Sequence, residues 1–347
     1  MEGMSDRPTS WQGPPRRPAS SWLAQLGWAA ANLYAAVVAA YLIGRALTGD
    51  RLWPVALLSH VAHGLLLPAL VVLPLGWWRR RYATTAVCAA GAVAFLWWYG
   101  ALFLPQAAPP PAARTLTVLS VNVQAASTSP ETLIGLIRAA DADLVGIQEL
   151  SPAQAVALDH ELADQYPHQV LHGIGIPGEG LLSRYPIVNS DTFYLQGRAL
   201  THIRATLDVD GAPLTVITAH PPPMGGHNGG FGAHPAAGDE IAALVAMAAT
   251  GGPAILLGDF NTGDQTALYR LLVNAGLVDA FRAAGWGFGL TWPAAPLGGL
   301  HLPPLVRIDY IFHTPHFYPQ RAWVGPAIGS DHLPVLAELA WVSREEE

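Results

Sequence analysis

Five short polar groups sit at the ends of apolar runs in the C-terminal two-thirds of this chain. They are Asn122 in SVNVQ, Glu149 in GIQEL, Asp259 and Asn261 in GDFN, Asp309 in RIDYIF, and Asp331-His332 in SDHLPV. A carboxylate at the buried end of a strand is costly to keep ionised unless something pairs with it, and a divalent cation is the usual partner. Five such strand ends in one domain point to a single metal-dependent site, and to a hydrolase.

The elements that must carry these residues alternate between strand and helix. Residues 116–123 and 144–148 are apolar, β-branched runs separated by a helical candidate at 130–140. Residues 201–209 and 214–219 read as two strands joined through Asp210-Gly211, a hairpin signal. A helix near 239–249 precedes a strand at 254–257, residues 266–275 are again helical, and strands at 308–313 and 333–339 close the series. Hairpins mixed with helical crossovers predict two packed sheets with helices outside them rather than one parallel sheet.

The first hundred residues have a different composition. Three apolar segments, residues 21–44, 53–78 and 83–104, contain no Asp, Glu or Arg. Each meets the ~20 residues needed to cross a hydrocarbon core. Three such segments fit a cleavable signal peptide badly and predict three transmembrane helices; a buried helical domain is the alternative. Arg7, Arg16 and Arg17 precede the first segment, and Arg79, Arg80 and Arg81 separate the second from the third. The excess of positive charge on those stretches places the N-terminus in the cytoplasm. Three crossings then put the remainder of this multi-pass membrane chain on the extracytoplasmic side. His60 and His63, inside the second segment, read as polar contacts between helices or as functional groups. The domain plan is a disordered tail at 1–20, the helical anchor at 21–104, a proline-rich tether at 105–113 (PQAAPPPAA) and a catalytic domain at 114–347.

The polar groups, together with Ser183-Arg184 in LLSRYP and His220 in TAHP, resemble the endonuclease/exonuclease/phosphatase superfamily. They occur in the expected order and cover about residues 114–342. The resemblance implies a four-layer α/β sandwich with the site at one end of two facing sheets. Three N-terminal spans joined to such a domain are also similar to the VanJ-type membrane proteins associated with glycopeptide resistance. That likeness implies an undecaprenyl (pyro)phosphate-type substrate in the cell envelope.

Phosphoester hydrolysis needs a positioned water, neutralisation of the phosphoryl oxygens and help for the leaving oxygen. Glu149 is the expected principal metal ligand, with Asn122 beside it and Asp331 helping directly or through water. An oxygen-only shell favours Mg²⁺ or Mn²⁺. The other readings are a helix cap for Glu149 and a turn for Asn122. Asp259 and Asn261, two apart in extended chain, would point the same way, so the carboxylate can orient water while the amide holds a phosphoryl oxygen; a plain Asx-turn gives the same spacing. Asp309 and His332 resemble the family's carboxylate–imidazole pair, the acid fixing the tautomer and favouring the charged ring. His220 is expected to donate to phosphate. Arg184 is a phosphate-binding candidate or a structural ion pair. His227 and His234, in the glycine-rich stretch 221–235, are candidates for substrate contact. Gln124 departs from the pattern, standing where many nuclease members carry an acid.

Residues 106–347 hold ten arginines, no lysine and 22 acids, a formal charge of −12. That balance disfavours nucleic acid, which is normally held by cations on its phosphates. The expected substrate is a phosphorylated lipid at the bilayer, with no obligate protein partner. A surface nuclease, a sphingomyelinase-like phospholipase and an inert membrane binding module are the alternatives. The single cysteine, Cys88, allows no intrachain disulfide.

Overall fold

The computed structural model describes residues 22–105, 114–125, 127–195, 200–223, 235–296, 299–300 and 302–342. The expected tail at 1–20 and most of the tether lie outside them, as do His227 and His234.

Five helices come first: α1 (Trp22–Thr48), α2 (Trp53–His60), α3 (Ala62–Leu66), α4 (Ala69–Trp78) and α5 (Tyr82–Tyr99), the last extended by a 3₁₀ turn, Gly100–Phe103. α1 and the stretch Tyr82–Phe103 are each long and apolar enough to cross a membrane. The expected second span is corrected: Trp53–His60 and Ala62–Trp78 meet at a bend of 86° and pass the same test only as a pair. The break falls at Val61, whose backbone (φ −114°, ψ 24°) leaves helical geometry. Hydropathy alone could not locate it, because both halves are uniformly apolar.

The remaining chain alternates as expected: β1 (Arg114–Ala125), α6 (Pro130–Ala140), β2 (Leu144–Leu150), α7 (Pro152–Glu161), β3 (His168–His172), β4 (Glu179–Ser183), β5 (Ile187–Tyr194), β6 (Thr201–Val209) and β7 (Ala212–Ala219). It continues through α8 (Pro235–Ala248), β8 (Ala254–Asp259), α9 (Ala267–Asn274), β9 (Val278–Asp279), α10 (Ala280–Ala284), β10 (Asp309–His313), β11 (Phe317–Val324) and β12 (Val335–Trp341). Two six-stranded sheets result, in the orders β11-β12-β1-β2-β4-β3 and β5-β6-β7-β8-β10-β9. Only β1/β2 and β7/β8 pair in parallel; the first is bridged by α6 and the second by a connection that includes α8.

Period-two alternation explains the layers. Leu116 and Val118 of β1, Leu144 of β2, Ile255 and Leu257 of β8 and Ile311 of β10 fill the space between the sheets. The intervening Leu119, Val121, Val145 and Ile147 face outward onto Leu133, Ile137 and Leu158 of α6 and α7. On the other sheet, Leu256 and Phe312 face Ile241 and Leu272 of α8 and α9. Helices therefore flank two mixed sheets. Ser129 and Ser151 accept backbone N–H bonds at the starts of α6 and α7, the second in a capping box with Gln154.

Candidate active site

The same alternation delivers three of the predicted residues. Continuing the inner phase of β1, β8 and β10 places Asn122, Asp259 and Asp309 between the sheets at one end, and Asp259 pairs directly with Asp309 across β8 and β10. Glu149 is out of phase, since Val145 and Ile147 of its strand face the helices. Its backbone corrects this: φ is +58°, and the carboxylate turns into the site. Gln124 (φ +48°) and Asn261 (φ +52°) are also left-handed. Non-glycine residues seldom adopt this conformation, and functional sites are where it concentrates. Gly258, at φ +147°, has no such freedom to give up: an added Cβ would lie 1.9 Å from the Ala219 carbonyl oxygen.

Asn122 Nδ2 donates to Glu149 Oε1 (3.2 Å) and to Asp259 Oδ2 (3.1 Å), so one amide bridges two carboxylates. Its Oδ1 accepts the Gln124 N–H at 2.9 Å. His220 Nε2 lies 4.0 Å from Glu149 Oε1 and 3.6 Å from Asp259 Oδ2. His332 Nδ1 meets both oxygens of Asp309, at 3.1 and 3.0 Å, and its Nε2 is 3.7 Å from Asp259 Oδ2 and 3.8 Å from Asp331 Oδ1. Asp259 Oδ1 accepts the Asn261 N–H (2.9 Å), while Asn261 Nδ2 donates to the Pro221 carbonyl (3.0 Å). Nine predicted residues occupy described positions, and eight of them converge here.

Arg184 is the correction. It pairs with Asp141 and, at 3.5 Å, with Asp143. Ser183 is opposite Leu144 in the β4/β2 register, whereas Glu149 lies five residues further along β2, so Arg184 stands at the opposite end of the sheet. That is about 17 Å of strand away.

Gln124 supports the site from the backbone side, its Oε1 accepting the Asp331 N–H at 3.2 Å. Trp292 Nε1 donates to Asp331 Oδ2 at 3.1 Å, and Ser330 Oγ donates to the Asn122 carbonyl at 2.7 Å. Two groups escaped sequence reasoning. Glu179 is fully buried beside Gln148 and Thr218, and that burial pushes its carboxyl well above the usual range. The signal was an acid inside the apolar stretch GEGLLS. Asp264, three residues past Asn261, is the second; it contacts Tyr99, Arg282 and Arg307.

Burial raises the carboxyl of Glu149, with Asp259 adding to the effect against the Asn122 hydrogen bond. Burial likewise raises Asp259, against the pull of His332. Burial lowers His220, favouring a neutral ring. His332 goes the other way: burial opposes its charge, but Asp309 and then Asp259 outweigh it and push the imidazole up to about 10. Two adjacent carboxylates raised by burial, bridged only by a neutral amide, form an all-oxygen donor set that suits a hard divalent cation. Asp259, Asp309 and His332 also offer three ligand atoms within 4.8 Å of one another. Because Asp309 and His332 are already hydrogen-bonded together, Glu149 and Asp259, with Asn122, are the better-disposed ligands.

Residues 119–332, more than half of the chain, match the Endonuclease/Exonuclease/phosphatase family, and the chain belongs to it. Members of this family are generally metal-dependent phosphoester hydrolases. The uncharacterised protein YbhP of Escherichia coli K12 is 27% identical over 257 residues, covering 64% of this chain and 95% of YbhP. Among solved structures, D. rerio TDP2 in complex with a single-strand DNA product superposes with a TM-score of 0.53 at 18% identity, covering 65% of this chain and 98% of that one. A family protein from Leptotrichia buccalis gives 0.51 at 21% identity, over 65% and 99%. At these identities the two structures share the fold alone.

Proposed function

We propose that this chain is a membrane-held, Mg²⁺- or Mn²⁺-dependent hydrolase of a lipid-linked phosphate or pyrophosphate, of the undecaprenyl pyrophosphate type, in the cell envelope. The observation that carries this reading is the position of the metal-ligand cluster. Asp259 and Asn261 lie within a few residues of Gly263, where an added Cβ would fall 2.9 Å from His60 Cα of α2. A phosphate reaching this site would therefore sit beside the ends of the apolar helices.

Charge supports the orientation. The Arg81 guanidinium stacks on Trp28 near the start of α1 (5.5 Å), whereas Arg45 near its end reaches Gln265 of the catalytic region. The arginine-rich stretches thus group at the end of the helices remote from the site, which agrees with a cytoplasmic N-terminus and an extracytoplasmic catalytic domain. In this reading α1, the 62–78 stretch and α5 are the three spans, and α2 lies across their end. Residues 62–78 would extend about 25 Å as helix, slightly short of a typical core. The likeness to VanJ-type proteins adds the substrate class.

When bound, the cation neutralises phosphoryl charge and lowers the pKa of water. Glu149, Asp259 and Asn122 would hold it, with Asp331 at the edge. Asp259 orients the attacking water and takes its proton as oxygen bonds to phosphorus and the ester oxygen departs. His332, kept cationic by Asp309, donates from Nε2 to the phosphoryl group. Neutral His220 donates a second N–H from the facing strand end. Asn261 holds the loop by its bond to Pro221 and presents its remaining amide hydrogen.

The test is a phosphate-release screen of the purified protein on polyprenyl pyrophosphates, phospholipids and nucleic acids, with and without Mg²⁺. The expected result is metal-dependent release from the polyprenyl substrates, absent in Glu149→Ala and His332→Ala. Cleavage of DNA or RNA in preference to every lipid would replace this reading with a surface nuclease.

A further inference from the structure

The eight residues after Asp259 are held largely by the N-terminal helices rather than by their own domain. Asn261 is left-handed, and Thr262 gives its carbonyl to the Tyr310 hydroxyl at 2.9 Å. Gly263 then packs against His60, so closely that no side chain fits. Asp264 accepts the Tyr99 hydroxyl of α5 at 3.4 Å. Gln265 accepts Arg45 of α1 twice, through its carbonyl (2.5 Å) and its Oε1 (3.3 Å). Ala267 N–H donates to Asp50 at 2.5 Å.

A second segment is gripped in the same way. Gly287 N–H donates to the Leu102 carbonyl at 2.9 Å, and the Phe288 ring sits 4.8 Å from His63 and 5.2 Å from Phe103. Four residues later Trp292 reaches Asp331. Asp264 also ties the helices to the other side of the site, because Arg307, 3.9 Å from it, precedes Asp309 by two residues.

We propose that the helical segment is a positioning element of the active site, acting mainly through Tyr99–Asp264 and Arg45–Gln265 to fix Asp259 and Asn261. The claim rests on the hydrolase reading for its consequence, but not for its structural content. Tethering alone would need no bonds to residues 263–267. A reacting group displaced by about 1 Å costs roughly 10²-fold in rate, so a loosened catalytic turn has a visible effect.

The experiment uses the full chain in detergent, comparing wild type with Tyr99→Phe, Arg45→Ala and the pair. Amide hydrogen exchange, Mn²⁺ binding by calorimetry and turnover of bis(p-nitrophenyl) phosphate are read on each. The pair is expected to speed exchange at 259–267 by about tenfold, leave β1 and β12 unchanged, and lower kcat about tenfold with KM within about twofold. In an Asp264→Ala background, Tyr99→Phe should add nothing. Unchanged exchange at 259–267, or a uniform rise across every strand, overturns the proposal. If wild type turns over no phosphoester, the hydrolase reading fails, while the exchange result still decides the positioning claim.

Discussion

Two groups of buried acids lie in the same domain and have opposite electrostatics. Asp279 is buried against Arg307, with oxygens at 2.9 and 2.7 Å from the guanidinium and a third bond from Tyr269. Burial alone would raise it, but Arg307 holds it below the usual carboxylate range. Glu149 and Asp259 are raised, and among the described residues no arginine pairs with them, with Asp309 or with Asp331. The first group is a closed structural unit whose charges cancel internally. The second is left charge-imbalanced where the fold could have placed a cationic side chain, which is what a site for an external cation requires.

The largest effect should come from opening the closed unit. Arg307→Ala leaves Asp279 buried and unpaired, and urea unfolding should show a loss of about 3–5 kcal/mol. The matching change in the open unit should act on function instead. Glu149→Gln should reduce metal-dependent turnover by roughly 10²–10³-fold, comparable to losing one transition-state stabilising group, while the metal-free protein melts no lower than wild type.

The pH dependence separates the two units further. Glu149 and Asp259 have folded values above their ordinary 4.5 and 3.8. Such raised groups stabilise the fold fully below those ordinary values and lose that contribution as pH rises through the folded ones. His332, raised from 6.5 to about 10, has the same sign over a higher window. The metal-free protein should therefore melt lower at pH 7.5 than at pH 5, by about 1.4 kcal/mol for each unit of carboxyl shift lost. Saturating Mg²⁺ at pH 7.5 should restore the loss, and Glu149→Gln should flatten the slope. The smallest effect belongs to Arg184→Ala, at the far end of the sheet. Its partly exposed pairs are worth about 0–1 kcal/mol, and turnover should not change.

Much of this site was legible because strand alternation is local. Asn122, Asp259 and Asp309 continue the inner phase of apolar residues visible in the sequence, so their convergence follows from period two. Glu149 was legible by type but not by direction, since its left-handed backbone reverses the phase. Arg184 was misplaced because its motif sits next to a strand whose direction depends on the antiparallel β2/β4 pairing, a long-range fact. The bend at Val61 was hidden by uniform hydropathy, and Asp264 was hidden because its partners lie 165 and 18 residues away in sequence.

The central claim is that Glu149 and Asp259 form a divalent-cation site. Calorimetric titration of Mn²⁺ into the full chain at pH 7.5 tests it without reference to any substrate. Saturable binding in wild type that is abolished by Glu149→Gln and retained in Arg184→Ala is the predicted result. Equal binding in wild type and Glu149→Gln, or no binding in either, would contradict the account.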